Sequence, residues 1–294
     1  MRLRRTALVL PALALAATAC APAEDSSSTA SDPAPTSSGS PAADACAPES
    51  LPLRNAGRLT VGTDSPAYEP WFVDDDPTNG KGFESAVAYA VAEQLGFSAD
   101  QVDWVTVPFN TSYKPGAKDF DFDINQISIS AKRAEVVDFS DGYYQAAQAV
   151  IALEGTAGAE ATSLDDLKGL RLGAQTGTTS LTAITDVIQP DADPLVFEDT
   201  NAAKQALKND QVDAILADLP TAFYISAVEI GGSTIVGQFQ PDTGEQEEFG
   251  MLFEKGSGLV PCVNEALAAL EEDGTMDELE QQWLSDVVDV PELQ

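Results

Sequence analysis

The segment GFESAVAYAVAEQLGF, residues 82–97, sets Phe83, Val87, Val91 and Leu95 four residues apart and stops at Gly96. That spacing predicts a helix with one apolar face, ended by a glycine. A short strand, Leu59–Gly62, precedes it and a second, Val102–Val107, follows, so the unit reads strand–helix–strand and points to an α/β fold. The alternation continues outward. Phe120, Phe122 and Ile124 alternate with Asp121 and Asp123, predicting a strand that runs on to Ile129. Ser163 and Asp166 resemble a capping box at the start of a short helix ending at Gly169. Arg171–Ala174 and Leu195–Phe197 read as strands, Gly177–Ser180 opens a helix, and Thr200 is placed to cap the helix running to Leu207. Val212–Leu216 is a strand ending at Asp218. A further helix, strands near 234–238 and 248–253, and two closing helices complete the chain, with Thr275 and Glu278 as a capping box.

Composition removes much of enzymology. The 294 residues carry 15 Lys and Arg against 48 Asp and Glu, a formal net charge of −33, which repels phosphate backbones and argues against a nucleic-acid partner. There is no histidine, so Ser-His-Asp and Cys-His nucleophiles are excluded, and the commonest transition-metal ligand is missing. Three dispersed cysteines build no zinc or iron–sulfur site by themselves, and neither metal nor cofactor is expected.

Arg2, Arg4 and Arg5 precede an apolar run from Ala7 to Ala19, too short for a membrane span but suited to a signal peptide over residues 1–19. Ala17, Thr18 and Ala19 lead into Cys20 and resemble a bacterial lipobox, with Ala17 where that motif usually has Leu. The resemblance implies lipidation of Cys20 and attachment to the outer face of the cell membrane. Residues 21–45 contain only Ala, Pro, Ser, Thr, Gly, Asp and Glu, so 20–45 is expected to be a lipid-bearing, disordered tether. Cys46 and Cys262 remain. Outside the cell two such cysteines are more often paired than free, and two free thiols are the alternative.

Three elements carry a recognisable chemistry. In INQISISAKRAEVVDFSDGYY, residues 124–144, Ser128, Ser130 and Arg133 lie at a strand end and in the turn beyond it. An Arg fork with hydroxyls beside it suits a carboxylate, although a single Arg in a turn is more often a surface charge. GAQTGTTS, residues 173–180, turns into a helix whose first N–H groups favour an anion, although taken alone the segment reads first as an ordinary N-cap. Asp218 in DAILADLP closes a strand and suits an ammonium group, with helix capping as the alternative.

These segments, with GTDSPAYEPWF (62–72) and EEDGTMDELEQQWL (271–284), follow one another in an order that resembles the type-3, amino-acid-binding solute-binding proteins of ABC importers, over nearly all of 57–286. The resemblance implies a two-lobed periplasmic-binding-protein-like fold of type II, two α/β lobes joined by a two-crossover hinge. Lobe one would comprise 46–149 and the return 244–294; lobe two would be 150–243. It implies carboxylate contacts from Arg133, Ser128, Thr178 and Thr179, and an ammonium contact from Asp218. Tyr68 and Phe109 would sandwich the ligand. Asp64 would meet its side chain, with Gln126 beside it where relatives have Gly or Ser. Asp64 and Gln126 favour a polar or basic amino acid. The expected partners are that ligand, an ABC permease and, through the lipid, the membrane. A monomer without catalysis is expected; a secreted amino-acid-precursor dehydratase on the same fold, or a ligand sensor, are the alternatives.

Overall fold

The computed structural model describes residues 45–240, 247–284 and 290–294. The expected signal peptide, the Cys20 lipid site and nearly all of the tether lie outside those residues.

Among the described residues ten strands form two five-stranded sheets. The first has the order β2-β1-β3-β10-β4, from β1 Leu59–Thr63, β2 Val102–Thr106, β3 Phe122–Asp123, β4 Val137–Gln145 and β10 Glu248–Glu254. The second has the order β7-β6-β8-β5-β9, from β5 Gln148–Leu153, β6 Leu172–Gln175, β7 Leu195–Phe197, β8 Ala214–Asp218 and β9 Ser233–Phe239. In each, three strands run parallel: β2, β1 and β3 in one, β7, β6 and β8 in the other. The remaining two run antiparallel to their neighbours. Parallel neighbours need a crossover, and α1 Phe83–Gln94 supplies it between β1 and β2. Phe83, Val87 and Val91 are fully buried in the first core, and Gly96 takes φ +84° just beyond the helix.

The chain passes between the sheets twice at one place. It leaves β4 at Gln145, enters β5 at Gln148, and returns from β9 to β10. The two passages are stitched together: the Ala146 N–H donates to the Glu247 carbonyl at 2.8 Å, and the Gln240 amide donates to the Ala146 carbonyl at 2.6 Å. The first passage thus falls at 146–147, slightly before the expected boundary.

Four expectations are corrected. The strand through Phe122 is only two residues long, because Asp121 turns inward to accept the N–H groups of Arg54 and Thr60 at 2.8 and 2.7 Å. Gln126 takes φ +47°, and pairing resumes only as a bridge between Ser128 and Phe249. Asp199, not Thr200, caps α2 Thr200–Lys208, accepting the Ala202 N–H at 2.7 Å. Asp273, not Thr275, accepts an N–H at the start of the last helix, Thr275–Leu284, from Thr275 itself at 2.9 Å. Residues 290–294 do not stay with the first sheet. Glu292 bridges Gln238 on β9, and Leu293 is buried in the second sheet's core.

Cys46 and Cys262 form a disulfide of 2.03 Å, tying residue 46 to the helix Val260–Glu272. Among the described residues no helix is long and apolar enough to cross a membrane.

Candidate ligand-binding site

A cavity of about 50 Å3 lies between the two sheets, at the carboxyl ends of β1, β6 and β8. Its lining includes seven of the nine residues singled out from sequence: Asp64, Tyr68, Phe109, Gln126, Thr178, Thr179 and Asp218. Asn125, Gln175 and Thr221 join them. Strand carboxyl ends are where open α/β sheets place ligands.

Ser128 and Arg133 stand beside the cavity rather than on its wall. Arg133 is only 9% exposed, held under the rings of Phe109 and Tyr113 with its guanidinium 5.6 and 5.0 Å from their centres. It donates to two carbonyls, Ser128 at 2.7 Å in its own sheet and Gly177 at 2.9 Å from the other. Among the described residues no carboxylate lies within ion-pairing distance of it. Burial pulls its pKa down, against the opposing pull of Tyr113, Glu247 and Asp218. A desolvated guanidinium that meets only carbonyls and ring faces still lacks an anion. Gly177 permits the approach: its φ is +76°, and a Cβ there would lie 2.2 Å from the Tyr113 hydroxyl oxygen.

Thr178 does serve as an N-cap, accepting from the Leu181 N–H at 3.1 Å while donating to the Gln175 carbonyl at 2.8 Å. Its hydroxyl is thereby committed to its own turn. Asp218 stands at the N-cap position of α3 Leu219–Tyr224 but makes no capping bond. Its carboxylate instead accepts from the Gln148 amide at 3.4 Å, and burial, followed by repulsion from Glu247, raises its pKa well above the ordinary range. Asp64 accepts the N–H groups of Ser65 and Phe109 at 2.7 and 3.2 Å, and burial raises it as well.

Tyr68 lies against Lys204, whose ammonium is 5.2 Å from the ring centre and bonded to both Glu229 oxygens at 2.7 and 2.8 Å. Trp71 and Asn110 also reach across, donating to the Thr221 hydroxyl at 2.8 Å and the Glu198 carbonyl at 3.3 Å.

Glu84, Gln148 and Glu247, which the sequence does not single out, stand behind the cavity and bond to Gln126, Asp218 and Ser128 respectively. Gln148 is a polar residue opening an apolar strand, QAVIAL, which is a usable signal; Glu84 and Glu247 look like surface acids. Glu84 is fully buried and accepts from Tyr143 and from the backbone and side chain of Gln126, and burial pushes it up to about 7. Asp123 is also fully buried, and neither of its oxygens has a hydrogen-bond partner. Burial, then Glu84 and Asp64, raise its pKa far above normal.

A pH dependence follows from Asp123 and Glu84. The fold favours the protonated form of both, so their stabilising contribution is complete below the unfolded-state pKa and is lost as pH rises through the folded one. Asp123→Asn removes the charge without removing a hydrogen bond. Relative to the parent, its unfolding free energy is expected to gain about 1.4 kcal/mol per pH unit above pH ~4 until Asp123 ionises in the fold. Denaturant titrations at pH 5, 6 and 7 check this, and a gap independent of pH contradicts it.

The family model described as bacterial extracellular solute-binding proteins, family 3, matches residues 59–286. The chain belongs to that family. The solute-binding protein is 29% identical over 237 residues to the L-cystine-binding protein TcyJ of Escherichia coli (strain K12), covering 79% of this chain and 84% of the relative. Among solved structures, an ancestral arginine-binding protein bound to arginine matches with a TM-score of 0.66 at 33% identity, over 78% of this chain and 98% of the other. An ancestral amino acid-binding protein, a precursor of cyclohexadienyl dehydratase, matches at 0.65 and 30%, over 77% and 95%. The two sheets are therefore the two lobes of a type II binding-protein fold, and the cavity lies between them.

Proposed function

We propose that this solute-binding protein captures a polar or basic amino acid between its lobes and presents it to an ABC importer. The observation that carries the reading is Arg133, a buried guanidinium whose side chain, among the described residues, is bonded to two carbonyls and to no carboxylate. An amino acid supplies that carboxylate, and its ammonium group complements Asp218 across the cleft. Asp64 and Gln126 are the partners we assign to the side chain. Similarity to binding proteins for cystine, glutamine and arginine supports the ligand class and the transport role.

In this reading residues 46–145 and the return from 247 form the first lobe and residues 148–240 the second, the latter joined by residues 290–294, with the first crossover at 146–147 in place of the 149/150 boundary expected from the sequence. Ligand bridging the lobes favours the closed form because only that form contacts it from both sides. The protein acts as a monomer, since one chain supplies both walls of the cleft, and it performs no catalysis.

Equilibrium binding tests the reading directly. The protein, unfolded and refolded to strip carried-over ligand, is titrated with the common amino acids while its melting temperature is followed. Ligand at 100 times its Kd should add about 2.7 kcal/mol of stability. Mass spectrometry of the bound fraction should return the amino acid unchanged; a dehydrated product would establish the enzyme alternative instead. The lipid anchor has its own check: Cys20→Ser should release the protein to the medium, and continued membrane attachment would refute the lipobox assignment.

A further inference from the structure

Glu84 stands in the first turn of α1, fully buried behind the cavity rather than on its wall. Its Oε1 accepts twice, from the Gln126 backbone N–H at 2.6 Å and from the Tyr143 hydroxyl. Its Oε2 faces the Gln126 carboxamide, whose nitrogen donates to it. Gln126 lines the cavity and takes φ +47°, a backbone uncommon for a residue with a side chain, and Glu84 holds it there through both of these N–H donors. The carboxamide oxygen has no hydrogen-bond partner among the described residues, and it is open rather than sealed. With the nitrogen turned to Glu84, the oxygen is the free end.

A proton on Glu84 reverses that arrangement. Tyr143 has no other acceptor among the described residues, so its hydroxyl keeps donating to Oε1, and the Gln126 backbone N–H cannot turn away. The proton therefore goes to Oε2. There it meets the carboxamide nitrogen, donor against donor, and the bond is restored only when the carboxamide rotates by half a turn to offer its oxygen. The nitrogen is then the free end. Burial pushes Glu84 up to about 7, so both states lie within ordinary pH. The titratable groups facing it are Tyr143 on β4, Asp123 on β3 and Asp218 at the end of β8, and its charge raises the pKa of each.

We propose that Glu84 is a positioning residue that sets which end of the Gln126 carboxamide meets the ligand's side chain: the oxygen while Glu84 is a carboxylate, the nitrogen once it is protonated. This deepens the reading above and rests on it, since Gln126 is assigned there to the side chain and not to the carboxylate and ammonium that all amino acids share. With its oxygen presented alongside Asp64 on the same cavity wall, the site selects side chains that donate, a guanidinium, an amine or an amide, over those that only accept. Protonation of Glu84 erodes the selection.

The test measures Kd for L-arginine, L-glutamine and L-glutamate at pH 5.5 and 8.5 with the parent, Glu84→Gln, Gln126→Gly and the double variant. The three ligand side chains keep one charge state across that interval. Glu84→Gln retains an oxygen for Tyr143 and the Gln126 N–H and donates from its amide, so it holds the protonated arrangement at every pH. In the parent the preference for arginine over glutamate should rise from pH 5.5 to 8.5 by about tenfold more than in Glu84→Gln, the size of one hydrogen bond to a charged group. Any rise left in Glu84→Gln belongs to Asp64. Gln126→Gly tolerates the positive φ and removes the carboxamide, so adding Glu84→Gln to it should change nothing further. Equal preferences in the parent and Glu84→Gln at pH 8.5 overturn the proposal, while binding of arginine or glutamine by the parent leaves the ligand reading standing. A shift of full size in the Gln126→Gly background also overturns it, because Glu84 would then act by another route. Should Glu84→Gln not fold, Gln126→Gly alone decides: a preference as steep in pH as the parent's overturns the proposal. If the parent binds none of the three, the amino-acid reading falls and the assignment of Glu84 falls with it.

Discussion

Arg133→Ala is expected to weaken ligand binding by about 2–5 kcal/mol, roughly 30-fold to several thousand-fold, while leaving the circular dichroism spectrum unchanged. The size follows from burial. A guanidinium already stripped of water, with no carboxylate partner among the described residues, gains far more from the ligand's anion than an exposed one would. The fold should survive because the side chain's bonds are to two carbonyls, Ser128 and Gly177, and not to a charge network. Arg133→Lys keeps the charge but loses the planar fork and its fit between Phe109 and Tyr113, so it should recover only part of the affinity. Calorimetric titration of the three proteins decides the matter, and equal affinities would remove Arg133 from the site.

Opening the Cys46–Cys262 bridge should produce the largest loss of stability. The two residues are 216 positions apart, and closing a loop of that length removes about 5 kcal/mol of chain entropy from the unfolded state on the entropic model. Cys46→Ser with Cys262→Ser is expected to approach that loss in denaturant titrations. Ligand affinity should be retained, because neither cysteine lines the cleft. A double variant as stable as the parent would mean that the constraint acts on little besides the residues next to it.

Much of the fold could be read from the residues because local and global signals agree. Phe83, Val87 and Val91 both mark a helical period and fill the first core, and β1, β7 and β8 fall within a residue or two of their expected positions. The stretch 120–129 misled for a physical reason. Phe120, Phe122 and Ile124 alternate as in a strand with one wet face, but Asp121 and Asp123 on the other face are buried as well. Alternation reports polarity, and a buried acid is indistinguishable from an exposed one in sequence. The same limit hid Glu84 and Glu247, whose roles come from partners 42 and 119 residues away. Gly177 and Asp218 were legible as a turn and a strand end. That Asp218 makes no capping bond, and that the Thr178 hydroxyl is consumed within its own turn, depends on distances no single sequence encodes.

The pairing of residues 290–294 with β9 has a practical consequence. Residue 46 is fastened by its disulfide to the first lobe, whereas Gln294 accepts the Leu164 N–H at 3.2 Å and Leu293 is packed in the second lobe's core. Residues 46 and 294 thus sit on different lobes. A donor and an acceptor dye attached at the exposed positions 45 and 294 would turn any change in lobe separation into a change of energy transfer, with the disulfide intact and no engineered site inside either core.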